Sequence, residues 1–186
     1  MADREFDVVL FGASGFVGRL VAEQLAGHAA AGIRVALAGR TPARVEQVRD
    51  KLGVDWPART ADSADEESVR KLAESAGVVV STVGPYARHG LPLVRACAAA
   101  GTDYADLTGE VLFVRQSMAT AHDRAAVTGA RIVHSCGFDS VPSDLAVLLL
   151  ADRAAADGAG ELTDVDLLVR QVRGGFSGGT VDSMRN

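Results

Sequence analysis

The segment VVLFGASGFVGRLVAEQL, residues 8–25, decides the fold. It opens as a short β-branched, apolar run of strand length, passes through Gly12, Gly15 and Gly18, and continues with helical spacing. Residues 7–11 are therefore expected as a strand and residues 16–28 as a helix. Each glycine has a separate task in such a unit. Gly12 permits the sharp turn out of the strand, Gly15 lets the backbone approach a diphosphate, and Gly18 lets the helix pack close to the sheet. The amides at the helix start then face the phosphates, with the helix dipole favouring their charge, and Ser14 adds a hydroxyl. The spacing is G-x-x-G-x-x-G rather than G-x-G-x-x-G, and glycines also mark ordinary turns, so the reading rests on the loop opening the first strand–helix unit. A P-loop is excluded because no Gly-Lys-Ser/Thr follows.

Outward from this segment the same rhythm repeats. Strands are expected at 34–38, 56–60, 78–83, 102–106 and 131–135. Helices are expected from Thr41-Pro42, at 65–75, 91–100, 110–128 and 143–156. On 110–128 the apolar positions are Leu112, Phe113, Met118, Ala121 and Ala125. Alternating elements of this length imply an α/β fold, a Rossmann-type doubly wound parallel sheet. Asp157-Gly-Ala-Gly160 breaks the rhythm. Residues 163–173 then read as a long strand without a partner, followed by a glycine-rich turn at 174–179. The expectation is a nucleotide-binding domain over 1–158 and the start of an incomplete second domain over 159–186, with a seventh strand on the same sheet as the alternative.

The second strand ends at Gly39-Arg40-Thr41. NAD-binding domains place an acidic residue there to bond the ribose 2′-hydroxyl. A guanidinium instead grips a 2′-phosphate through paired hydrogen bonds. Arg40, with Thr41 and Arg44 beside it, points to NADP.

The totals suit one well-buried globular domain. The chain has 186 residues, 48% hydrophobic, and a net charge of −5, which argues against general nucleic-acid or membrane-surface binding. Cys97 and Cys136 sit in no metal-binding pattern, so no metal is expected. The N-terminus lacks signal-peptide features, and no apolar stretch approaches the roughly 20 residues needed to cross a bilayer. A cytoplasmic location follows as the default.

Four further runs carry a resemblance: ALAGRTPARVEQV (36–48), VVVSTVGPYARHGLPLVRACAAAGTDYADLTGE (78–110), HSCGFDSVPSDLAVLLL (134–150) and GGFSGGTVDSM (174–184). With the glycine loop they resemble the saccharopine dehydrogenase-like oxidoreductases over nearly the whole chain. The YADLTGE and CGFDSVPSD runs lie nearest the branch labelled trans-acting enoyl reductases. The resemblance implies an NADP-binding domain followed by a substrate domain of comparable or larger size, mostly absent here, so the chain alone is expected to be inactive. It also implies nucleotide contacts at Gly12, Ser14, Gly15, Phe16, Val17 and Arg40, and nicotinamide-side contacts at Val83, Gly84 and Pro85.

Catalytic groups are sought at the carboxyl ends of the strands. Tyr86 and His89 follow the fourth strand, and His89 is a candidate proton donor. Asp106 is expected to face the cleft, and Thr108 and Glu110 to cap the next helix. Cys136 has no positioned base to activate it. Asp139, Ser140, Ser143 and Asp144 are expected to line the cofactor or substrate cleft as turn and cap residues. None of these is assigned a catalytic role. Short-chain dehydrogenase chemistry is excluded because neither Lys51 nor Lys71 follows a tyrosine by four positions, and no G-x-S-x-G elbow supports a hydrolase. The leading expectation is an NADP-dependent reductase of a C=C (enoyl) or C=N bond in a small molecule. The alternative is a dinucleotide-binding sensor or scaffold without catalysis. The apolar stretch 143–156 and the unpaired 163–173 make self-association, such as a homodimer, compatible with either.

Overall fold

Along β1 (Phe6–Phe11) successive side chains point to opposite faces, and both faces are buried. Val9 and Phe11 join one apolar cluster, and Leu10 joins another on the far side. A strand buried on both faces suits the middle of a parallel sheet covered by helices on each side. The computed structural model, which describes residues 4–171, has that architecture. After β1 come α1 (Phe16–His28), β2 (Val35–Gly39), α2 (Pro42–Leu52), β3 (Ala58–Thr60), α3 (Glu66–Ser75), β4 (Ala76–Ser81) and α4 (Tyr86–Ala100). Then follow β5 (Asp103–Asp106), α5 (Val111–Thr128), β6 (Ile132–Val133) and α6 (Val141–Ala156). The strands are all parallel, in the order β3-β2-β1-β4-β5-β6. That order reverses direction between β1 and β4, and a crevice opens there at the carboxyl ends of the strands. The Rossmann-type fold expected above is the one observed.

The α1/α2 face is built from Leu10, Leu37, Ala22, Val45 and Val48. The other face packs Val9, Phe11 and Val79 against Val69, Leu93, Val94 and Phe113 of α3, α4 and α5. At about 25 cal/mol per Å² of apolar area removed from water, these two layers are the main source of stability.

Several expectations are corrected. The fourth strand is β4 (Ala76–Ser81), two residues earlier than expected. Thr82 still donates its N–H to the Phe11 carbonyl (2.9 Å), but Thr82 and Val83 leave the ladder and turn into the crevice. The fourth helix starts at Tyr86 rather than near 91 because its first amides are satisfied by a distant carboxylate, described below. The buried stripe of α5 is Phe113, Ser117, Ala121 and Ala125, at a spacing of four, whereas Leu112 and Met118 are exposed. The sixth strand shrinks to Ile132–Val133 because Ser135 takes a left-handed backbone (φ 59°), held by Ser135 N–H to Asp106 (3.2 Å) and Ser135 Oγ–H to the Thr108 carbonyl (2.8 Å). The apolar helix α6 buries none of its residues among the described residues. Residues 163–171 are exposed and form no strand, either alone or as a seventh member of the sheet. Residues 172–173 and the turn at 174–179 lie outside the described residues.

Candidate functional site

Gly12 ends β1 with φ +91°, a left-handed backbone that side chains rarely adopt. A Cβ there would also lie 2.6 Å from Thr82 Oγ1 and 2.9 Å from Val83 Cγ2. The loop closes through Gly15 N–H to the Gly12 carbonyl (2.9 Å), and Gly15 occupies the N-cap of α1 with no side chain bonded to the helix end. Its amides are therefore left for a ligand or for water. A Cβ on Gly18 would fall 2.8 Å from the carbonyl carbon of Gly12 and closer still to its oxygen, so only glycine lets α1 approach the loop this closely. Gly12 and Gly18 thus perform the tasks expected of them.

The crevice above β1 and β4 is a cleft of about 230 Å³. Gly12, Ser14 and Gly15 form its floor. Arg40, Thr41 and Arg44 form one wall, and Thr82, Val83, Gly84 and His89 form the other. Arg40 and Arg44 are exposed, and neither guanidinium enters an ion pair among the described residues. Thr41 is the N-cap of α2, with Pro42 next, but its hydroxyl makes no capping bond, so the start of α2 is as open as that of α1. Two open helix starts and two arginines thus converge on a cleft that no carboxylate lines, in a chain of net charge −5. Such a site attracts a polyanion carrying more than one phosphate group. Its volume is below the roughly 300–1,000 Å³ of a complete small-molecule pocket.

Of the residues expected to bind nucleotide, Gly12, Ser14, Gly15, Arg40, Thr41, Val83 and Gly84 line the cleft together. Phe16, which is exposed, and Val17 lie beside it on the first turn of α1. Gly18 is buried beneath that turn, and Pro85 is buried behind Gly84. Ser63 and Thr82 line the cleft and escaped the sequence reading. Thr82 follows the carboxyl end of β4, the neighbour of β1, and Ser63 follows that of β3, on the far side of β2. Thr82 was hidden by the misplaced end of β4, and Ser63 by the weakness of β3.

The remaining candidates do not gather in the cleft, apart from His89. Tyr86 is buried and donates its O–H to the Ser81 carbonyl (3.0 Å); burial and the nearby Asp106 charge push its phenol well up from its ordinary range. Asp106 does not face the cleft. It is buried and accepts hydrogen bonds from Tyr104 O–H (2.9 Å) and Thr108 N–H (3.0 Å), and His134 Nδ1 lies 2.7 Å from its Oδ2. His134 Nε2 lies 2.8 Å from Ser117 Oγ. The Asp–His–Ser sequence has the connectivity of a hydrolase triad, yet Ser117 is 1% exposed beneath Phe113, whose ring meets His134 edge-on at 5.2 Å. Closed to substrate, the trio ties β5, β6 and α5 together.

Thr108 accepts from Glu110 N–H through its hydroxyl (3.0 Å), as a cap would, but Glu110 does not cap its own helix. Its Oε1 and Oε2 accept from the N–H groups of Tyr86 (2.9 Å) and Ala87 (2.8 Å) at the start of α4. Cys136, Ser140, Ser143 and Asp144 line a separate recess of about 610 Å³ between β6 and α6, and exposed Asp139 lines neither it nor the cleft. Partial burial and the Asp106 charge raise the Cys136 thiol pKa, which keeps it a weak nucleophile. No group of three metal-ligating side chains occurs among the described residues. No helix among them is long and apolar enough to cross a membrane.

Comparison with known proteins places this geometry. The model of the saccharopine dehydrogenase NADP binding domain matches residues 8–133. A Mycobacterium tuberculosis protein provisionally named a trans-acting enoyl reductase is 60% identical over 184 residues, 97% of this chain and 44% of the relative. A trans-acting enoyl reductase of Mycobacterium bovis is 54% identical over the same lengths. The chain thus spans less than half the length of these relatives. Among solved structures, saccharopine dehydrogenase (L-Glu forming) from Saccharomyces cerevisiae superimposes with a TM-score of 0.68 at 22% identity, covering 82% of this chain and 32% of that one. Triphenylmethane reductase from Citrobacter sp., complexed with NADP(H), gives 0.53 at 18% identity, covering 69% of this chain and 48% of that one. At these identities the likeness is one of fold.

Proposed function

This chain belongs to the saccharopine dehydrogenase NADP-binding domain family, and from that premise we propose that it is the cofactor-holding part of an NADPH-dependent enoyl reductase. The observation that carries the reading is the cleft itself: two open helix starts and two unpaired arginines, with no lining carboxylate, at the reversal point of the sheet. The amides at Gly15 and the first turn of α1 hold the diphosphate, with the Ser14 hydroxyl beside them. Arg40, Arg44 and Thr41 at the start of α2 hold the 2′-phosphate. Val83 and Gly84 face the uncharged nicotinamide half. Bound there, NADPH supplies hydride to an electron-poor carbon. His89, half-buried on that wall, is the cleft-lining side chain placed to hold or deliver a proton.

The substrate is a small molecule with a conjugated C=C bond, a choice supported by the names of the relatives, and a C=N bond is the alternative. Residues 1–158 form the nucleotide domain and 159–186 begin a substrate domain that covers the open cleft. The reading places the protein in the cytoplasm and allows a homodimer through the exposed leucines of α6.

Fluorescence titration with NADPH and NADH tests the cofactor assignment. The wild-type chain is expected to prefer NADPH, and Arg40→Asp to lose about 100-fold in NADPH affinity, the worth of one or two charge-assisted hydrogen bonds plus repulsion, with NADH changed little. Equal binding of both nucleotides by the wild type overturns the assignment. NADPH consumption by the full-length protein across enoyl thioesters and imines tests the chemistry, and tight binding without turnover would point to a sensor instead.

A further inference from the structure

We propose that Glu110 is a positioning residue that sets the orientation of the dinucleotide, by closing the one helix start at the cleft where a phosphate must not sit. The inference rests on the cofactor reading above and concerns a residue outside the cleft. Three helices begin at the crevice: α1, α2 and α4. The first two begin without any side-chain cap. The third begins with both oxygens of a carboxylate on its first amides, Tyr86 N–H at 2.9 Å and Ala87 N–H at 2.8 Å, supplied from 23 and 24 residues away.

A carboxylate on a helix start does two things. It satisfies amides that would otherwise seek an anion, and its charge offsets the positive end of the dipole. A phosphate approaching α4 would therefore find its first amides already filled, whereas one approaching α1 or α2 meets bare amides and arginines. The charged half of the dinucleotide is directed to the α1/α2 side, and the uncharged ring end is left to Val83, Gly84 and His89.

The placement of Glu110 is itself built. Its own N–H donates to Thr108 Oγ1 (3.0 Å), and Thr108 N–H donates to buried Asp106 (3.0 Å), which is anchored in turn by Tyr104 and His134. The loop between β5 and α5 is thus a brace that ends on the first turn of α4. That turn carries His89, whose N–H bonds to the Pro85 carbonyl (3.1 Å), and follows directly on Gly84. Through the cap, Glu110 sets both the electrostatics and the position of the ring-side wall without touching the ligand.

Glu110→Gln removes the charge and faces one backbone N–H with an amide N–H. Glu110→Ala removes the cap entirely. Each variant is titrated with NADPH and with 2′,5′-ADP, a fragment that reaches only the α1/α2 side, and thermal melts record folding. The expected result is about tenfold weaker NADPH binding in Glu110→Gln, with 2′,5′-ADP affinity unchanged within twofold, and a larger NADPH loss in Glu110→Ala. Equal losses for both ligands, or no loss for either, overturn the proposal. If Glu110→Ala fails to fold, the Glu110→Gln comparison decides. Should the wild type bind neither ligand, the cofactor reading fails instead, so the two failures are distinguishable.

Discussion

Helices α1 and α4 flank the same crevice, follow neighbouring strands, and each press a glycine into the structure, yet they start in opposite ways. The α1 start is stripped: a glycine N-cap, no side chain on its amides, and backbone packed on backbone at Gly18. The α4 start is filled by Glu110, and its glycine, Gly90, lies against an aromatic ring rather than a carbonyl. On the proposed reading, one end receives an anion and the other refuses it. A helix start at the crevice offers its amides to a ligand only where no side chain of the protein has claimed them.

Substitutions at the two glycines sharpen this contrast. The largest effect is expected from Gly18→Ala, whose Cβ collides with the Gly12 carbonyl, a backbone atom that cannot yield without moving the loop. Overpacking against backbone should cost about 3 kcal/mol or more and abolish NADPH binding, measured by denaturant melts and titration. Gly90→Ala is expected to be milder. Its Cβ would lie 2.5 Å from Phe113 Cε2, but a ring can tilt, and alanine recovers up to about 1 kcal/mol of helix propensity. A net loss of about 1–2 kcal/mol with NADPH affinity nearly intact is the expected outcome. If Gly90→Ala weakened binding as much as Gly18→Ala, the contrast between the two helix starts would be broken.

The smallest effect lies at the other end of β1, away from the cleft. Paired hydrogen bonds from Arg34, the largest influence on it, hold the Asp7 carboxyl at about 2 against an ordinary 3.8. A carboxyl depressed in the folded state adds stability above its unfolded pKa and loses that contribution as pH falls through its folded value. The melting-temperature gap between wild type and Asp7→Asn should therefore be present near neutral pH and vanish as pH falls from about 4 to about 2. Exposure of the pair keeps the gap small, and NADPH affinity should not change.

Much of this was legible without coordinates. The bounds of α1 follow from its periodicity, Thr41-Pro42 marks the start of α2, and the expected helix at 65–75 is found as α3. Arg40 announced itself by its place at the end of β2. What stayed hidden is long-range. Leu112 and Met118 share an apolar pattern with Phe113, but which stripe of α5 is buried depends on where α4 lies. Asp106 looked like a cleft residue because alternation along β5 does not tell which end group will be claimed by His134, 28 positions later. The early start of α4 could not be read locally because its cap comes from another loop.

By itself the sequence determined the parallel doubly wound sheet, the glycine-bared loop and the choice of an arginine where an acid would select NAD. These follow from periodicity, backbone freedom and charge, properties a residue carries with it. Only the tertiary structure decided which helix starts are open to an anion, because an amide's partner can be any carboxylate the fold brings within about 3 Å, however distant along the chain.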